Sequence, residues 1–112
     1  CRGRAGDTAM LVYNKLVRDR IPELIAASGK TCTVRVLDDQ EYVDKLHEKL
    51  AEELQEYLAD GSVEELADLA ELILAILDVK GVSPEEFEAI RRRKREERGG
   101  FSERLLLVHV SD

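Results

Sequence analysis

The stretch Glu52-Glu53-Leu54-Gln55-Glu56-Tyr57-Leu58-Ala59-Asp60-Gly61-Ser62-Val63-Glu64-Glu65-Leu66-Ala67-Asp68 decides the fold. Its halves carry carboxylates in mirror order about the turn Ala59-Asp60-Gly61-Ser62. If both halves are helical and fold back as an antiparallel hairpin, equal rise per residue sets Glu56 level with Glu65 and Glu53 level with Asp68. Four acidic groups then face one another and repel unless a cation lies among them. Oxygen-only ligation suits Mg²⁺, with Mn²⁺ as the alternative, and both ions also hold substrate phosphates.

Working outward, a helix is expected over 44–58, with Val43, Leu46, Leu50, Leu54, Tyr57 and Leu58 on one apolar arc. Glu53 projects at the border of that arc, Glu56 lies just outside it, and Glu52, Lys45 and Lys49 fall on the polar side. An unpaired charge beside a core stripe is penalised, which makes Glu53 a better ligand candidate than Glu52. The second helix, over 63–80, is apolar almost all round, so it is expected to be central to a bundle or an oligomer interface. Glu64, Glu71 and Asp78 share a sector that can face water, whereas Glu65 and Asp68 lean to the apolar side.

Each residue also has a plainer reading. Ser62-Val63-Glu64-Glu65 is a capping box in which Glu65 satisfies the Ser62 amide. Acidic residues near a helix start also gain from the macrodipole. In a chain that is 37% charged, one Glu pair on a helix is ordinarily a solvated face. Two pairs matched across a turn, both leaning towards apolar surface, favour the metal, since buried charges are paired or coordinate metals.

The EExxE stretch at Glu52 to Glu56, followed by ExxD at Glu65 to Asp68 in a Leu-rich hairpin, resembles the MazG-like, all-α nucleoside triphosphate pyrophosphohydrolase superfamily. Tyr13-Asn14-Lys15-Leu16-Val17-Arg18-Asp19-Arg20-Ile21-Pro22-Glu23 and Arg98-Gly99-Gly100-Phe101 look like the opening and closing signatures of its short house-cleaning, phosphoribosyl-ATP pyrophosphohydrolase-like branch. The resemblance implies Mg²⁺-dependent hydrolysis of a nucleoside triphosphate, expected to be a non-standard one, to its monophosphate and pyrophosphate. It also implies that Glu53, Glu56, Glu65 and Asp68 hold the metal, with Glu52 behind them or orienting the attacking water; the catalytic candidates are thus Glu52 and Glu53. Lys15, Arg18, Lys94 and Arg98 are the implied phosphate contacts, with Asp19 orienting one of the first two. Against phosphate binding by Lys94 and Arg98 stands the ordinary role of cations late in a helix, which complement its dipole. Two rivals remain open: phosphoribosyl-ATP hydrolysis in histidine synthesis, and a non-catalytic helical interaction module whose acids serve only as caps and solubilising charge.

The remaining chain sets bounds. A length of 112 residues fits one domain, with Met10 as the expected start and 1–9 as an upstream, disordered remnant. A net charge of −7 argues against a partner that needs broad neutralisation, such as nucleic acid. Cys32 alone outside the remnant gives no disulfide framework, and no apolar run is long enough to span a membrane, so a reduced cytoplasmic setting is the default. Few aromatics and a nearly all-apolar helix predict a homodimer or homotetramer.

Elsewhere, Pro22 is expected to open a short helix that Gly29 ends, Asp38 with Glu41 to cap the first long helix, and Ser83-Pro84-Glu85-Glu86 to open a last helix through Arg98. Thr31-Cys32-Thr33-Val34-Arg35-Val36 and the segment 105–110 read as strands. His47 and His109 lack zinc-site spacing and read as structural, and Tyr57 as a packed helix-end aromatic. The expected fold is therefore mainly α, a four-helix-bundle-like hairpin core with a small two-stranded β element.

Overall fold

The computed structural model describes residues 13–112, so the expected remnant over 1–9 and the expected start at Met10 lie outside the described residues. Pro22 falls in the first turn of α1 (Ile21–Ala27), where a missing N–H leaves no hydrogen bond unmade. The next helix, α2 (Asp39–Asp60), opens on a reciprocal cap: the Asp38 side chain accepts from the Glu41 amide at 2.9 Å, and the Glu41 carboxylate accepts from the Asp38 amide. Arg35 donates to both oxygens of Glu41, at 2.9 and 3.1 Å, which fixes the chain entering the helix. That start makes α2 longer than the span 44–58.

Gly61 ends α2 with φ 72°, a left-handed conformation that costs any residue with a Cβ, and its N–H donates to the Tyr57 carbonyl at 2.7 Å. Only Gly61 and Ser62 separate α2 from α3 (Val63–Lys80), so the expected four-residue turn is two residues shorter. The last helix, α4 (Pro84–Arg98), begins at a second reciprocal cap, between Ser83 and Glu86, and stops at Gly99.

The chain divides into two compact units, the first ending at Ile76 and the second comprising Leu77–Asp112. In the first, Leu46 of α2 is the core residue at 2% exposure, with Val43, Leu50, Tyr57, Leu69 and Leu72 half-buried. Leu54, Leu58, Leu66 and Leu74 remain exposed. In the second, Leu77 is buried and Phe87 of α4 is half-buried.

The mainly helical character agrees with the sequence, but the two-stranded β element is absent: the described residues hold four helices and no strand. Residues 31–36 and 105–110 are exposed throughout. β-branched and apolar residues favour a pleated, half-buried surface, yet a strand exists only where its backbone groups find a ladder partner. Without that ladder, alternation is only a local preference. Among the described residues no helix is long and apolar enough to cross a membrane.

Candidate metal centre

Glu53 is the buried acid of the first unit, with 7% of its surface exposed. It belongs to two carboxylate groups. With Glu52 and Glu56 on its own helix, and with Glu65 and Asp68 of α3, it contributes oxygens that lie within 4.8 Å of one another in each group. The short Gly61-Ser62 link brings the start of α3 back alongside α2, which is why residues so far apart in sequence meet. All four expected ligands thus fall in groups joined by Glu53, although Glu56 lies in the group on its own helix and not in the one with Glu65.

The charges in this centre are poorly relieved. Burial first, then the neighbouring Glu56, pushes the Glu53 carboxyl above the usual carboxylate range, with Asp68 and Glu65 adding to the shift and Lys49 opposing it. Glu65 is raised in the same way, by burial, then by Glu56 and Asp68, while a hydrogen bond with Glu53 opposes the shift. Two carboxylates can share such a bond only if a proton lies between them, and a cation between them removes that need. In addition, Glu65 Oε2 is buried with no hydrogen-bond partner.

The capping explanation of Glu65 is only half met. Ser62 Oγ accepts from the Glu65 amide at 3.3 Å, but among the described residues no bond from the Ser62 amide to the Glu65 carboxylate accompanies it. At Asp38 and Ser83 the reciprocal bond is made. The Glu65 carboxylate instead faces Glu53 and Asp68. An orphaned oxygen, two raised carboxyls and an all-oxygen donor set from opposite helices fit a hard divalent cation.

Cations of the chain border the centre. The segment before α1 runs past both helices: Lys45 donates to the Asn14 carbonyl at 3.1 Å, Lys15 pairs with Glu52 at 2.8 Å, and Arg18 pairs with Asp68 at 2.6 Å. Lys15 and Arg18, expected as phosphate contacts, are therefore brought to the carboxylates themselves. The partner of Arg18 is Asp68 and not the adjacent Asp19. Glu52 also meets Lys49 at 3.5 Å, and the two lysines, Lys15 foremost, hold its carboxyl below the usual range.

Lys49 has no role in the sequence-based expectation, yet it lies 3.9 Å from Glu53 Oε2 as well. Its spacing of three and four residues from Glu52 and Glu53 is the signal that could have found it. Lys94 and Arg98 lie on α4 in the second unit, both exposed. His47 and His109 are exposed and take no part in either carboxylate group.

No protein-family model matches the chain, and no solved structure does. Over 45 residues it is 58% identical to an uncharacterized protein of Mycolicibacterium smegmatis (strain ATCC 700084 / mc(2)155). That likeness covers 40% of this chain and 46% of the relative, so the chain matches less than half the length of the relative. The relative's name carries no activity.

Proposed function

We propose that the protein is a divalent-metal-dependent nucleoside triphosphate pyrophosphohydrolase of the MazG-like kind. The observation that carries the reading is the meeting of buried Glu53 with Glu65 and Asp68 across the α2–α3 hairpin, where Glu65 Oε2 has no partner. Glu53, Glu65 and Asp68, with Glu56 beside them, would hold Mg²⁺ or Mn²⁺. When bound, such an ion neutralises the triphosphate, lowers the pKa of a coordinated water and stabilises charge on leaving pyrophosphate.

The other roles belong to the side chains. Glu52, kept ionised by Lys15 and Lys49, is an acceptor suited to orienting the attacking water. Lys15 and Arg18 supply positive charge at the edge of the carboxylates, where the triphosphate would lie. Lys94 and Arg98 are retained as phosphate contacts on the resemblance of the segment that contains them. The acidic chain, with a net charge of −7, suits a small nucleotide better than a nucleic acid. Free Cys32 accords with a reduced, cytoplasmic setting.

We also propose self-association. Leu46 and Leu77 are the buried apolar residues among those described, whereas Leu54, Leu58, Leu66, Ile73 and Leu74 are each at least 38% exposed. Helices with so much apolar surface are ordinarily covered by further copies.

The test is a panel of standard, oxidised, deaminated and methylated nucleoside triphosphates with phosphoribosyl-ATP, incubated with Mg²⁺ and resolved into monophosphate, diphosphate, pyrophosphate and phosphate. Monophosphate with pyrophosphate, lost in Glu53→Gln, is expected. Preference for phosphoribosyl-ATP would transfer the reading to histidine synthesis. No turnover of any member would favour the interaction module.

A further inference from the structure

Among the described residues of the first unit, Arg18 makes the shortest ion pair, and its partner is one of the three carboxylates that meet across the hairpin. Its Nη2 lies 2.6 Å from Asp68 Oδ1, fifty residues away along the chain. Its partner is Asp68 rather than the adjacent Asp19. Fully ionised, Glu53, Glu65 and Asp68 would carry three negative charges, against which the chain sets Arg18 at Asp68 and, more distantly, Lys49 at 3.9 Å from Glu53.

We infer, on the reading of Glu53, Glu65 and Asp68 as cation ligands, that Arg18 is the built-in counter-ion of the centre: its guanidinium neutralises Asp68 in the cation-free protein, is displaced when a divalent cation enters, and is thereby released to the substrate phosphates. The competition follows from charge. A divalent cation among oxygens that lie within 4.8 Å of one another is only a few ångströms from a guanidinium bound to one of them. The ion's charge cancels most of the field that holds the guanidinium, and so loosens a pair whose side chains are already 58% and 39% exposed. The freed side chain is a planar fork of donors, a shape that matches phosphate oxygens.

Arg18 thus opposes the free cation and favours the cation together with its nucleotide. The same residue neutralises Asp68 and then helps recognise the triphosphate, so free cation alone fills the centre less readily than the nucleotide complex does. Arg20 provides a matched comparison, because it lies two positions along in the same segment but pairs with Glu23, outside the carboxylate groups.

Mn²⁺ binding, followed by the electron paramagnetic resonance signal of the free ion, tests this with wild type, Arg18→Gln, Arg18→Lys and Arg20→Gln. Circular dichroism first establishes equal helicity. Without nucleotide, Arg18→Gln should bind Mn²⁺ about two- to five-fold tighter than wild type, the scale of an exposed ion pair. Arg20→Gln should change by less than about twofold, and Arg18→Lys, which keeps the charge, should stay near wild type. With a non-hydrolysable nucleoside triphosphate the order should reverse, Arg18→Gln binding the nucleotide complex more weakly. If wild type binds Mn²⁺ and Arg18→Gln is no tighter than Arg20→Gln, the inference fails while the metal centre stands. If no variant binds Mn²⁺, both fail.

Discussion

Glu53 concentrates the physical chemistry of this chain in one side chain. It is buried, it belongs to both carboxylate groups, and its carboxyl is raised by burial first and by Glu56 next. A carboxyl whose folded value lies above its unfolded one binds its proton better in the fold. Its stabilising contribution is therefore complete below the unfolded value and is lost as pH rises through the folded value. We predict that metal-free Glu53→Gln is more stable than wild type at neutral pH, by on the order of 1 kcal/mol. The two should converge as the pH falls below the ordinary glutamate range, where the wild-type side chain is neutral in folded and unfolded chains alike. Urea unfolding in a chelator at both pH values measures this, and an unchanged difference would mean that the charge on Glu53 is not the source of the instability.

At the scale of elements, the hairpin depends on how α2 ends. Gly61 has room for a side chain, since nothing lies within 4 Å of the place a Cβ would take, but its φ of 72° is the left-handed conformation. We predict that Gly61→Ala costs about 1–2 kcal/mol through backbone strain alone. The substitution should also weaken Mn²⁺ binding, because the link sets how α3 faces α2. Thermal unfolding together with an Mn²⁺ titration checks both effects, and an unstrained, equally stable variant would show that the turn tolerates another conformation.

Local signals in the sequence are the ones that carry through to the fold. The caps at Asp38 and Ser83, the stop at Gly99 and the span of α3 all depend on residues within a turn of one another, which a sequence displays directly. The strands at 31–36 and 105–110 do not form, because pairing is non-local and alternation does not supply a partner. The site divides along the same line. Mirror spacing brings the four carboxylates into view, whereas the contact between Arg18 and Asp68 spans fifty residues and has no local sign. Lys49 is legible from its spacing to Glu53, but the polar character of its helix face masks that signal.

For the whole molecule, the exposed leucines and the metal centre are separable claims. Leu66 and Leu74 are each 44% exposed on α3, outside the core of an isolated chain. We predict that wild type sediments as a dimer or larger assembly and that Leu74→Glu shifts it towards monomer with its helicity retained. Monomeric wild type across the accessible concentrations would remove the self-association proposal without touching the site. Whether Glu53 with Glu65 and Asp68 forms a cation site is tested by thermal unfolding of wild type and Glu53→Gln across a Mg²⁺ titration. A ligand that binds only the folded state stabilises it in proportion to RT ln(1 + [L]/Kd). The wild-type Tm should climb with Mg²⁺ along that curve while Glu53→Gln stays nearly flat. Equal shifts in both proteins would contradict such a site.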